Sequence, residues 1–119
     1  MANIENQTLS IQLNPSGQQA TVVVVAQVTF GPNENPLTSR LNCRIIGDDP
    51  IVDDFLFSFD THFFTEFGAA QEVRFERDNV SRNLLNEDII GADEIVGELT
   101  LNLVTGTPIK KRTNVFQLR

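Results

Sequence analysis

Four aspartates fall within seven positions in GDDPIVDDF, Gly47 to Phe55, and a second acidic stretch, NEDIIGADE, runs from Asn86 to Glu94. Thirteen of the sixteen Asp and Glu residues lie between Asp48 and Glu94, so the negative charge is gathered rather than spread. Carboxylates crowded in this way suit a hard cation, because calcium takes roughly six to eight oxygen ligands in flexible geometry. Asp48, Asp49, Asp53, Asp54, Asp78 and Asp93 are the candidate metal ligands, and calcium is the one cofactor the sequence suggests. Neither acidic segment has the D-x-[DN]-x-[DN]-G loop and closing glutamate of an EF-hand. The competing reading is that these are solubility charges on exposed loops, where Asp and Asn favour turns.

Catalytic chemistry has little to draw on. His62 is the only histidine and neighbours Phe63 and Phe64, which reads as a structural ring. Cys43 is the only cysteine, and its alternation with Leu41 and Ile45 points it into a core as an inert thiol. A nucleophile–base–orienter constellation needs parts that are not here. Paired carboxylates acting on a glycoside would want an aromatic sugar platform, yet the chain has nine Phe and no Trp or Tyr. No P-loop, Gly-rich dinucleotide turn or Cys/His zinc spacing occurs. The expectation is a protein that is not an enzyme.

The net charge of −7 argues against nucleic acid, whose binding rests on Lys and Arg displacing counterions from phosphates. The start MANIENQTLS lacks a basic region followed by an apolar run, and no stretch approaches the length needed to span a bilayer. The expected location is cytoplasmic or within a larger particle, and the sequons Asn6-Gln7-Thr8 and Asn79-Val80-Ser81 then carry no meaning of their own. A chain of 119 residues matches one domain, spanning 1–119, and removes roughly two thirds of its unfolded surface from water without needing a metal or disulfide.

The elements that position these residues are strands, because apolar residues recur with period two. Leu9, Ile11 and Leu13 alternate with polar residues up to the turn NPSG. TVVVVAQVTF, Thr21 to Phe30, is almost continuously apolar, as expected of a central strand covered on both faces or packed in an interface. Leu37, Ser39, Leu41, Cys43 and Ile45 form a half-buried strand, and in DFLFSFD the rings of Phe55, Phe57 and Phe59 point one way. THFFTEFGAA either extends that strand or forms a loop with a buried aromatic plug. Val73 and Phe75, then Leu99, Leu101 and Leu103, then Phe116 and Leu118 mark three more. The fold class is all-β, an antiparallel β-sandwich of about seven to eight strands with long acidic loops.

If the strands alternate in direction, the connections at NPSGQQ, GDDPIVDD and Asp78 to Glu94 share one end. GPNENP, THFFTEFGAA and TGTPIKKR fall at the other, with Lys110, Lys111 and Arg112. An additional strand hidden in THFFTEFGAA would separate the two acidic loops. The run VRFERDN, followed by DEIVGELTL, is similar to the late part of C2 domains, where a strand ends in an aspartate-bearing calcium loop and resumes with an apolar-Gly-acidic-apolar pattern. That resemblance covers about thirty residues; it implies Asp78 and Asp93 at ligand-bearing positions and a metal-bridged phospholipid surface. NPSGQQ has no aspartate where a C2 domain usually supplies one, and no Asp-Pro-Tyr pattern occurs.

Two functions fit. The first is a non-catalytic structural or protein-interaction module, binding itself or another protein and assembling head to tail through opposed acidic and basic ends. The second is a calcium-binding, C2-like module that uses the acidic loops to reach a membrane surface or a protein.

Overall fold

A computed structural model describes residues 1–48, 54–85 and 93–118. Within them the chain forms nine strands in two antiparallel sheets, an all-β fold. The first sheet has the order β1-β2-β6, from β1 (Asn3–Leu13), β2 (Gln19–Thr29) and β6 (Ala70–Ser81). The second has the order β4-β3-β7-β8, from β3 (Arg40–Gly47), β4 (Asp54–Ser58), β7 (Asp93–Asn102) and β8 (Ile109–Arg112). Two short strands complete its edges: β5 (His62–Phe63) pairs with β3 and β9 (Phe116–Leu118) with β7. One helical turn, α1 (Arg82–Leu85), follows β6.

The period-two pattern does what strand geometry requires of it. On β2, Ala20, Val22, Val24, Ala26 and Val28 are buried, while Thr21, Val23, Val25 and Gln27 alternate with them at intermediate exposure. The run is therefore central in its sheet but fully covered on one face only. Its buried face joins Leu41, Cys43, Ile45, Ile95, Leu99 and Leu101 from the other sheet in one hydrophobic cluster. The two sheets approach closely at Gly97, where a Cβ would lie 3.3 Å from Val24 Cγ2 and 3.1 Å from Thr113 Cγ2.

Among the described residues Thr113 is one of two buried polar ones, and both its N–H and its hydroxyl are used. Its N–H donates to Gly97 O at 2.9 Å, its hydroxyl accepts from Gly97 N–H at 2.9 Å, and the same hydroxyl donates to Asn114 O. That turn of the backbone divides the expected last strand into β8 and β9.

Three bulges reset the alternation. Asn6 and Gln7 oppose Ala26 alone, with Asn6 at φ 53°, so both Ile4 and Leu9 point inward despite their odd separation. Asp78 and Asn79 oppose Thr21, with Asn79 at φ 58°, and Val80 re-enters the core. The register shift between Ile45 and Ile46 leaves Leu56 as the extra residue on β4. The expectation that Phe55, Phe57 and Phe59 share a face is thereby corrected: Leu56, Phe57 and Phe59 are buried and Phe55 is exposed.

β5 is the additional strand on which the layout of the loops turned, but it reverses nothing. β4 and β5 both run antiparallel to β3, along the side that β7 leaves free, so they are one edge strand broken at residues 59–61. His62 and Phe63 extend the edge while Phe64 plugs the core, its ring 5.1 Å from Phe30 in an edge-on contact. THFFTEFGAA thus does both of the things expected of it.

The close approach at Gly97 gives a direct test. Gly97→Val places branched carbons where Val24 and Thr113 already stand, and overpacking of this kind costs about 1–3 kcal/mol. Urea denaturation is expected to show a lower midpoint at unchanged slope.

Candidate functional site

Of the six candidate metal ligands, Asp49 and Asp53 lie outside the described residues. Asp54 and Asp93 are placed by backbone pairing: Asp54 faces Gly47, and Asp93 opens β7 opposite Leu118. Asp48 N–H donates to Glu94 O at 2.7 Å, so the borders of both acidic segments meet at one end of the second sheet. In the first sheet, the 14–18 turn and α1 meet at the corresponding end, where Arg82 N–H donates to Gln18 O at 2.9 Å. Because Phe30 and Phe64 join the two sheets at the other end, these ends belong together.

The side chains that are described do not converge on an ion. Asp48 stands 3.5 Å from the Arg112 guanidinium. Asp78 is within β6 rather than in a loop after it, and its carboxylate accepts from the Thr21 hydroxyl at 3.0 Å. This corrects the loop position implied by the C2 resemblance: the bulge at Asn79 lets β6 continue to Ser81. Among the described residues no group of three His, Cys, Asp or Glu side chains gathers to hold a metal.

The basic end also needs correction. β8 pairs Lys110 with Thr100, Lys111 with Leu99 and Arg112 with Glu98, so the three cations run along a sheet edge. Glu98 sits between its two cross-strand neighbours, 2.7 Å from Arg44 and 3.5 Å from Arg112. Arg112 therefore binds carboxylates near the acidic end instead of forming an opposite pole.

Cys43 and His62 are framework residues. Burial pushes the Cys43 thiol up to about 12, so it stays protonated and unreactive. The His62 ring meets Phe64 edge-on at 4.9 Å, and partial burial lowers its pKa from the usual histidine value.

What the sequence pattern missed lies at the end away from the acidic segments. Phe67 is 74% exposed, Val104 71%, Phe63 65% and Leu37 43%. Leu37, Phe67 and Val104 come from three connections that meet there, residues 30–39, 64–69 and 103–108, and Phe63 ends β5 beside the second of them. Met1 is fully exposed beside them, its amine 3.7 Å from Glu34, whereas Phe55, Leu84 and Val115 are scattered singly.

The 31–39 connection forms a ridge held by its own polar groups. Glu34 accepts from Gly31 N–H at 2.7 Å, and Asn35 caps the 3-10 turn Pro36–Thr38, accepting from Leu37 N–H at 3.0 Å. Thr38 and Ser39 hydroxyls both donate to Asn35 O. Gln71 ties down the neighbouring loop by donating to Glu66 O and Gly68 O. Two grooves flank the ridge: one of about 380 Å³ between Phe30, Pro32, Pro36 and Phe67, and one of about 340 Å³ between Asn35, Thr38, Leu103 and Val104. The signal available in the sequence was apolar residues inside turn-rich stretches, off the strand period.

Compared with protein families, curated proteins and solved structures, the chain has no match in any of the three. No described helix is long and apolar enough to cross a membrane.

Two neighbouring rings separate packing from display. Phe64→Ala is expected to cost about 3–5 kcal/mol as a buried aromatic truncation, whereas Phe67→Ala should stay within about 0.5 kcal/mol of the parent. Equilibrium unfolding of the two variants measures both.

Proposed function

We propose that the chain is a non-catalytic β-sandwich interaction module that docks through the loop end carrying Leu37, Phe63, Phe67 and Val104. The observation that carries this reading is the exposure of those side chains around a 31–39 connection fixed by its own hydrogen bonds. Apolar groups gathered at one end of a molecule are costly to solvate and mark contact surfaces. A preorganised ridge loses little entropy on binding. The borders of the acidic segments, Asp48 and Glu94, lie at the far end, and the chain's net charge of −7 favours solubility and turns away anionic partners. Head-to-tail assembly by charge is the weaker version, since Arg112 is engaged by Asp48 and Glu98.

A photo-reactive residue installed at position 67, with position 12 on exposed β1 as control, tests the surface in extracts of cells that make the protein. Covalent products are expected from position 67 and not from position 12. Equal yields from the two would remove the reading, whatever the mass of the products.

A calcium-binding reading has one observation in its favour: Asp48, Asp54, Asp93 and Glu94 belong to strand ends that meet. On this reading calcium binds the native state alone and must raise the melting temperature. Scans in excess calcium and in chelator are expected to differ, and to converge in Asp48→Asn/Asp54→Asn; superimposable scans of the parent chain dispose of it.

A further inference from the structure

We infer that the partner at the loop end is a second copy of this chain, held in a two-fold contact in which Phe67 of each copy enters the groove beside Val104 of the other. The inference rests on the docking reading above and adds the identity of the occupant.

A symmetric contact requires a surface that complements itself. This end has a knob and a hole that one copy cannot bring together. Phe67 projects on one side of the 31–39 ridge and lines the groove there. The groove between Leu103, Val104, Asn35 and Thr38 opens on the other side. Turning a second copy about an axis through the ridge sets each knob against the other copy's hole.

Charge selects the same arrangement. Two chains of net charge −7 repel, and the cost depends on which ends approach. Glu5, Glu34, Glu66 and Glu72 border the loop end, as do the N-terminal amine, Arg40 and Lys110, so the two signs are interspersed and nearly offset there. Contact through these ends holds the acidic segments apart by more than the Debye length of about 8 Å, beyond which exposed charges are screened.

A standard interface removes roughly 800 Å² from each partner. The two exposed phenylalanine rings offer roughly 250 Å² of this, and the ridge and groove walls supply the surface around them.

Sedimentation over a range of protein concentration, at low and at high salt, tests the proposal. The parent chain is expected to pass from monomer to dimer and to keep its affinity in high salt. Phe67→Asp and Val104→Lys should each weaken dimerisation by about tenfold or more, as loss of a central contact does. Circular dichroism melts confirm that both stay folded. An equimolar mixture of the two variants should associate again, because it restores one native contact and replaces the other with an Asp–Lys pair.

A parent chain that remains monomeric at every concentration overturns the second copy. The docking reading survives that result if position 67 still cross-links to another protein. Association that high salt abolishes, that Phe67→Asp leaves intact, or that the mixed variants fail to regain also overturns the inference.

Discussion

The structure depends on one face of β2 being buried against β3 and β7. Ala20, Val22, Val24, Ala26 and Val28 are all at or near zero exposure, and the strands they meet supply Leu41, Ile45, Leu99 and Leu101 at the same level. Fully burying side chains of this kind is worth about 1.5–3 kcal/mol each, far more than any surface ion pair in the molecule. Because side chains alternate along a strand, that single burial fixes which residues are left outside. Arg44, Glu98 and Arg112 follow from it: register places them across from one another on the outer face, where they clamp β3, β7 and β8.

A sheet of three strands leaves two long edges, and an exposed edge is a template for unwanted pairing. The β1 edge is occupied at Leu9, whose N–H donates to Asn114 Oδ1 at 2.8 Å and whose carbonyl accepts from Asn114 Nδ2 at 3.1 Å. One side-chain amide thus stands in for a strand residue. On the β6 edge, Arg77 crosses to the other sheet, donating to Ser58 O while its guanidinium lies 4.7 Å over the Phe57 ring. Each edge strand also carries a bulge with an asparagine at positive φ, Asn6 and Asn79, which twists the ladder away from a flat template.

The strands were legible wherever two or three apolar residues alternated without interruption, as at Leu9 and Ile11, Leu41 to Ile45, and Leu99 and Leu101. Cys43 was legible for the same reason. The bulges were not, because an asparagine in a strand looks the same whether or not it adopts a positive φ. Ile4 and Val80 were overlooked as a result, and Phe55 was misplaced by the bulge at Leu56, which no asparagine marks. The division of the last strand was hidden too, since it follows from Thr113 turning to serve Gly97, sixteen residues away in sequence but joined to it by a 2.9 Å hydrogen bond. For the candidate site, the gathering of acidic strand ends followed from direction alone, and it held because β5 continues β4 instead of reversing it. The apolar loop end was invisible because Phe63 and Phe64 read alike, although one is 65% exposed and the other is buried.

That pair shows how exposed apolar side chains gather at the loop end, Phe63 as the last residue of β5 and the others on connections. A strand residue on this scaffold is either committed to the core or flanked by polar neighbours on an outer face, so a projecting apolar side chain has few places to stand. The connections are free of that alternation, yet their backbone polar groups must be satisfied before they can hold a shape. Glu34, Asn35, Thr38, Ser39 and Gln71 do so with side chains, and the prolines at 32 and 36 narrow the backbone further. The polar residues of these loops therefore act inward, on their own backbone, and the apolar ones are left to face out. This inversion of the usual order gives the loop end the exposed apolar surface on which the docking proposal rests, away from the strand ends at Asp48 and Glu94.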